Sequence, residues 1–262
     1  MAAATPAASG ASQAVRVIVT RPVRDAAQWV GRFRERRIDA LAFPLIEIQA
    51  LPSEPVIRAW DAVGQYAAVM FVSGNAVEHF FAARPMAGGA LPDPLRFMGT
   101  GPGTRAALNA AGVPDDRIDT PDPAGAQYDS EHLWQRIGAR DWRGRRVLIV
   151  RGEGGASRDW LATQWRAAGA EVDALPAYRR CVPVFDAAQQ AFIAQAVRPP
   201  WLWLFSSAQA IAALPALDWS RARALATHPR VAQAARTAGF GVVRDSQPTL
   251  DEIVRSIESM HE

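Results

Sequence analysis

The residues of this chain that could do chemistry follow short apolar runs: Thr20-Arg21-Pro22, Ser73-Gly74-Asn75, the stretch TGPGT from Thr100 to Thr104, Arg151-Gly152-Glu153-Gly154-Gly155, Ser206-Ser207 and Thr227-His228-Pro229. In open parallel α/β sheets ligands bind beyond the carboxyl ends of strands, where helix N-termini present unpaired N–H groups. These loops offer hydroxyls, backbone donors at Gly74, Gly101 and Gly152, and two arginines, with little nucleophilic or metal-binding chemistry. A ligand carrying several carboxylates or phosphates fits that inventory.

Each loop also has an ordinary explanation. A serine in front of a helix caps it, so Ser73, Ser206 and Ser207 need no ligand to account for them. The run from Gly99 to Thr104 has the outline of a dinucleotide fingerprint, but Pro102 and Thr104 spoil it, and Asp119 falls in the turn-like TPDPAG. Arg151-Gly-Glu-Gly-Gly155 lacks the Lys-Ser/Thr of a phosphate-binding loop, which disfavours nucleotide hydrolysis. His79, His132, His228 and His261 match no metal-ligand spacing, so no metal is expected. Glu47, Glu153 and Glu171 form no evident acid–base pair. Tyr178 stands beside Arg179 and Arg180 in an extended segment, where it is either packing or a hydroxyl facing a cleft.

The elements that must position these loops repeat a pattern of apolar run, Gly/Ser/Thr/Pro loop and amphipathic segment. VRVIVT (15–20) precedes a helix from Asp25 in which Trp29, Val30, Phe33 and Arg37 keep helical spacing. AAVMFVS (67–73) leads into NAVEHFFAA, and LRFMG (95–99) leads into TRAALNAAG, with Gly112 at the stop. RVLIVR (146–151) precedes DWLATQWRAAG, and WLWLF (201–205) precedes SSAQAIAAL. Thr249 to Glu252 reads as a capping box before Ile253, Val254 and Ile257. Alternation of this kind predicts parallel sheets with helices on both faces.

The order is also written twice. Thr20-Arg21-Pro22 aligns with Val150-Arg151-Gly152, Ser73-Gly-Asn-Ala-Val with Ser207-Ala-Gln-Ala-Ile, and the run from Thr104 to Gly112 with that from Val231 to Gly239. Duplication argues for two similar lobes, and the segments AFPLIEIQALP (42–52) and ALPAYRRCVPV (174–184) have the length and pattern of paired connector strands. One continuous sheet with two ordinary loops is the alternative on periodicity alone.

Composition narrows the partners. The chain has 262 residues, 49% of them hydrophobic, enough for two packed domains. Its 29 basic and 26 acidic residues give a formal charge of +3, which suits a small polyanion better than a nucleic-acid backbone. Cys181 is the lone cysteine, so the chain makes no internal disulfide and the reducing cytoplasm is the expected setting. The first 14 residues lack the basic and apolar regions of a secretory signal and read as a disordered tail. No apolar run approaches the roughly 20 residues that span a bilayer.

From about Val15 to Ile257 the chain resembles the uroporphyrinogen-III synthase family. The resemblance is carried by VTRP, PLIEI, FVSGNAVEHF, MGTGPGTRAALNAAG, YDSEHLW, VLIVRGEGG followed by DWLA and GAEVDALPAYRR, and the closing HPRVAQAARTAGF, in order and with the half-chain repeat. Where the family reads Phe-Thr-Ser at a strand end, this chain has Phe71-Val72-Ser73, one hydroxyl fewer.

The resemblance implies an α/β fold of two Rossmann-like lobes with parallel sheets flanked by helices, joined by a two-stranded β connector. Lobe 1 would be discontinuous, 15–41 plus 185–262, with connector strands 42–52 and 174–184 and lobe 2 at 53–173. It implies a cofactor-free, monomeric enzyme acting on hydroxymethylbilane, with a transient encounter with the upstream bilane-forming enzyme, no nucleic acid and no membrane. Tyr178 matches the tyrosine that assists hydroxyl departure. Thr20, Arg21, Ser73, Gly74, Asn75, Gly101, Thr104, Arg151, Gly152, Ser206, Ser207 and His228 would contact the substrate's acetates and propionates. A non-catalytic binder of small anions and a nucleotide-dependent transferase remain as competing readings of the same residues.

Overall fold

The computed structural model of the chain describes residues 15–85, 90–122, 128–154 and 160–260. The expected tail at 1–14, Gly155 and Asp159 lie outside them. The first half of the chain supplies β1 (Arg16–Val19), α1 (Val23–Glu35), β2 (Ala40–Ala42), β3 (Glu47–Ala50), α2 (Glu54–Asp61), β4 (Ala68–Phe71), α3 (Gly74–Ala82), β5 (Arg96–Gly99), α4 (Pro102–Ala110), β6 (Ile118–Asp119) and α5 (Ser130–Ile137). The second supplies β7 (Arg146–Gly152), α6 (Trp160–Ala167), β8 (Glu171–Cys181), α7 (Ala187–Gln195), β9 (Trp201–Phe205), α8 (Ala208–Ala212), β10 (Arg223–Ala226), α9 (Pro229–Thr237), β11 (Val242–Asp245) and α10 (Leu250–Glu258).

These elements form two sheets, ordered β11-β10-β9-β1-β2 and β3-β8-β7-β4-β5-β6. Two compact units correspond to them: Met1–Glu47 with Cys181–Glu262, and Ile48–Arg180. The pairings of β1 with β2 and β9, of β10 with β9 and β11, of β4 with β5 and β7, and of β5–β6 and β7–β8 are all parallel. Position for position, β2-β1-β9-β10-β11 corresponds to β8-β7-β4-β5-β6. Each sheet therefore takes the opening βα strands of one repeat and the closing three strands of the other. Strands β3 and β8 are neighbours and are continuous with the six-stranded sheet, with the Leu51 N–H donating to the Ala177 carbonyl at 3.5 Å.

Strands buried on both faces need continuous apolar runs, and these have them. All four residues of β4 are buried; Val69 and Phe71 pack with α3 and α4 residues, whereas Ala68 and Met70 face Leu133, Ile137 and Trp165. In the first unit Val17, Val19, Leu202 and Leu204 meet Trp29, Phe33, Ile253 and Ile257 on one face. Trp203 and Phe205 stack on the other with Trp219 and Phe240 nearby. Three buried indoles find carbonyl partners, Trp60 donating to Phe80, Trp142 to Ile137 and Trp203 to Ala196 at 2.7–2.9 Å, whereas the Trp165 N–H is buried without a hydrogen-bond partner among the described residues.

Some local expectations change. Helix α1 starts at Val23 and ends at Glu35, and Arg37, expected on its face, instead takes a left-handed φ of 59° as the chain turns toward β2. Thr249 caps α10 by accepting from the Glu252 N–H, but the Glu252 carboxylate pairs with Arg255, so the reciprocal capping box is absent there. Asp186 and Gln189 make that box at α7. Gly112 and Gly169 stop their helices as expected, with φ of 84° and 88°.

Asp119, expected in a turn, ends strand β6, and its carboxylate is held from both sides. Arg96 donates to it at 3.0 and 2.7 Å, and Arg140 at 2.7 and 2.8 Å. Burial pushes the Asp119 carboxyl up, but the bonds from Arg140 and Arg96 outweigh it and hold the group below its ordinary value. Asp119→Ala is expected to lower unfolding free energy by on the order of 2–3 kcal/mol, the range for bonds to charged groups, in denaturant titration. A folded-state pKa below the unfolded value of about 4 means this contribution is present above pH ~4 and is lost as pH falls through the folded pKa. The Asp119→Asn variant should accordingly show a shallower acid limb than the parent; identical limbs would remove Asp119 from the acid response.

Candidate functional site

In the second unit β8, β7 and β4 are neighbours: β7 ends at Gly152, Ser73 follows the end of β4 by two residues, and Tyr178 lies within β8 opposite Gly152. The register between β7 and β8 slips there: Arg151 faces Pro176, but Gly152 faces Tyr178, leaving Ala177 as an extra residue. Strand alternation would send Tyr178 to the face opposite Leu175 and Ala177, and the bulge returns it to theirs. Pro176, which has no N–H to donate, is a residue that bulges tolerate. The Tyr178 ring then lies across β7 at Gly152, where an added Cβ would stand 3.0 Å from Cε2 and Cζ and 3.2 Å from the hydroxyl.

Tyr178 is fully buried, at 0% exposure, and its hydroxyl lies 3.0 Å from Ser73 Oγ. Arg180, two residues on and so on the same face, donates to that hydroxyl at 3.4 Å. His79 of α3 stacks on the ring at 5.8 Å between centroids and an interplanar angle of 20°; burial pushes its pKa down, favouring a neutral imidazole. Ser73 has extended backbone and caps α3 by accepting from the Ala76 N–H at 3.3 Å. Gly74 and Asn75 form the first turn of that helix and are partly buried.

The other expected residues of this unit divide by role. Gly101 is the N-cap of α4, followed by Pro102 at its first position. Thr104 is buried against Gly99, where a Cβ would meet its Cγ2 at 2.5 Å, so the glycine-rich outline there serves close helix–strand packing. Arg151 is partly buried at the end of β7, and the Glu153 N–H donates to the Tyr178 carbonyl at 2.7 Å. Thr100 lines a cavity of about 570 Å³ with Asp129, Ser130, Glu131, Trp160 and Thr163, whose two carboxylates suit no polyanion.

In the first unit Thr20 is 1% exposed and its hydroxyl donates to the Leu204 carbonyl at 2.8 Å, tying β1 to β9. Arg21 lies with its guanidinium 4.7 Å from the Trp29 ring centroid, and its Nε is buried without a hydrogen-bond partner among the described residues. Burial pushes Arg21 down while Asp25 pulls it up. Ser207 caps α8 through the Gln209 N–H, Ser206 is partly buried beside it, and exposed His228 caps α9 by accepting from the Arg230 N–H at Nδ1. The structure thus brings Ser73, Gly152 and Tyr178 into contact, and leaves Thr20 and Thr104 engaged in packing. His79 and Arg180 were not singled out as site residues from sequence. Alternation from Tyr178 could have found Arg180, whereas His79 meets the ring only through the tertiary fold. Among the described residues no group of three or more His, Cys, Asp or Glu side chains could hold a metal ion.

Parallel-sheet units whose strand-end loops carry hydroxyls, helix N-termini and guanidinium groups define an α/β protein of the parallel-sheet class. The chain belongs to the uroporphyrinogen-III synthase family: the family model described as uroporphyrinogen-III synthase HemD matches residues 27–255. It is 31% identical over 176 residues to uroporphyrinogen-III synthase of Salmonella typhimurium, covering 67% of this chain and 69% of that one. In structure it is similar to a mutant uroporphyrinogen III synthase from the extremely thermophilic bacterium Thermus thermophilus, with a TM-score of 0.56, 19% identity and coverage of 94% and 98%. Uroporphyrinogen-III synthetase from Helicobacter pylori gives a TM-score of 0.59 at 14% identity, covering 94% and 99%.

Gly152→Ala should displace the Tyr178 ring and cost about 1–3 kcal/mol of stability through overpacking. In a Tyr178→Ala background the same change should cost little, because the ring it strikes is gone. A penalty that persists in that background would place the clash elsewhere, and the double-mutant cycle distinguishes the two.

Proposed function

We propose that the chain closes hydroxymethylbilane to uroporphyrinogen III, inverting ring D with loss of water, in tetrapyrrole biosynthesis. The family match over residues 27–255 carries this reading. The bilane bears four acetates and four propionates, a polyanion for which helix N-termini, hydroxyls and guanidinium groups are suitable partners. In the second unit Gly74, Asn75, Gly101, Arg151 and Gly152 would bind carboxylates, with Thr104 shaping the loop and the Ser73 hydroxyl facing substrate beside Tyr178. In the first, Arg21, Ser206, Ser207 and His228 would do so, with Thr20 fixing the strand end. The unpartnered Nε of Arg21 supports that assignment, since a buried guanidinium N–H lacks only an acceptor.

Departure of the ring-A hydroxyl as water leaves an azafulvene, which ring D attacks at its substituted carbon to give a spiro intermediate. Fragmentation and recombination deliver the inverted ring, and loss of a proton restores the aromatic pyrrole. Tyr178 assists hydroxyl departure as a hydrogen-bond donor, and the remaining contacts hold ring A against the substituted position of ring D. The reaction needs no metal or nucleotide. We place it in the cytoplasm, which accords with the lone cysteine; no helix among the described residues is long and apolar enough to cross a membrane.

Incubation with freshly generated hydroxymethylbilane, followed by oxidation and separation of isomers, should yield the III isomer at a rate unchanged by a chelator. Tyr178→Phe should slow turnover by one to a few powers of ten with the III isomer still dominant, since one such donor is worth ~2–4 kcal/mol in the transition state. Wild-type turnover in that variant would remove Tyr178 from the reaction, and exclusive release of the I isomer by the parent protein would overturn the function.

A further inference from the structure

Resting on the synthase reading, we infer that Tyr178 does not meet the departing hydroxyl itself but acts through Ser73, whose hydroxyl is the group presented to substrate. Tyr178 is wholly buried, while Ser73 is only partly so. Two polar side-chain groups reach the phenol oxygen among the described residues: Ser73 Oγ at 3.0 Å and an Arg180 guanidinium nitrogen at 3.4 Å. A guanidinium has donors and no acceptor, so among the described side chains the phenolic proton has Ser73 Oγ as its acceptor. That oxygen also accepts from the Ala76 N–H at 3.3 Å. With both lone pairs of Ser73 occupied, its own proton is directed away from both partners. Donation therefore runs one way, from Arg180 to Tyr178 to Ser73 to a ligand oxygen.

Every part of this chain is fixed by a separate feature of the fold. Ser73 is held by capping α3, Tyr178 is aimed by the bulge opposite Gly152, and Arg180 follows on the same strand face. During the reaction the carbon–oxygen bond of the hydroxymethyl group breaks with its electron pair on oxygen, and the Ser73 proton completes the water that leaves. Ser73 takes the Tyr178 proton, and the phenolate left behind sits beside the Arg180 guanidinium. The proton that ring D sheds on regaining aromaticity restores the chain, so no external acid is consumed. Tyr178 is then a positioning residue and Ser73 the catalytic one.

Steady-state kinetics of the full chain with fresh hydroxymethylbilane, on Ser73→Ala, Tyr178→Phe, the double variant and Ser73→Thr, test this. Both single variants should lose kcat by similar factors of ten or more with KM changed less than about threefold. The double variant should be no slower than the slower single, and Ser73→Thr, which keeps the hydroxyl and can cap α3, should recover most of the rate. Thermal melts separate folding losses from rate losses, and Ser73→Thr keeps the test decisive if Ser73→Ala is unstable. Multiplicative losses in the double variant, or Ser73→Ala acting only by raising KM, would overturn the relay while leaving the synthase assignment intact. A parent protein that gives only the I isomer would overturn the assignment and the relay together.

Discussion

Each sheet is joined at its middle by strands from opposite halves of the sequence, β1 to β9 and β4 to β7, and the rest of the structure depends on those two ladders. In the first, Val17 pairs with Leu202 and Val19 with Leu204; in the second, Val69 pairs with Leu148 and Phe71 with Val150. The paired residues are buried on both faces, so backbone groups there have no water to fall back on and must find each other. Neither repeat can complete a sheet alone. The long-range pairing costs loop entropy before it gains contacts, and the chain accepts that cost twice.

The same ladders set the chemistry, because parallel strands end together. Ser73 and Gly152 sit at adjacent strand ends only because β4 pairs with β7, and Tyr178 reaches them because β8 lies beyond β7. Thr20 repeats the logic in the first unit, spending its hydroxyl on the Leu204 carbonyl to lock the ladder at the strand end. All 29 basic residues are arginine. A guanidinium also presents a planar fork of donors that matches carboxylate geometry.

Much of this was legible in the sequence. The apolar runs VRVIVT, AAVMFV, RVLIV and WLWLF are strands because each is short, continuous and followed by a turn, and the repeat paired Thr20 with Val150 and Ser73 with Ser207 as the two sheets do. What was not legible depends on contacts between distant residues. Asp119 looked like a turn residue because its neighbours are Thr120, Pro121 and Asp122, yet Arg96 and Arg140 hold it in a strand. Thr104 looked like a ligand hydroxyl, but the missing Cβ of Gly99 draws it into the strand–helix contact. His79 showed no signal because its ring meets Tyr178 through packing, and helical spacing carries no information about β8.

In the proposed relay, a tyrosine that contributes to chemistry while wholly buried is less paradoxical than it first sounds. Water at the phenol would compete for its proton and loosen the one orientation in which it donates to Ser73, and the ring plane would be free to rotate. Packing the ring between Gly152 and His79, with α3 capped by the very hydroxyl it addresses, removes both freedoms before any ligand arrives. Preorganised donors gain their advantage in this way, since no reorientation remains to be done when charge develops on a departing oxygen. The bulge at Ala177 is therefore the feature on which the site turns: without it β8 would run in regular register and Tyr178 would point to the opposite face of the sheet, away from Ser73.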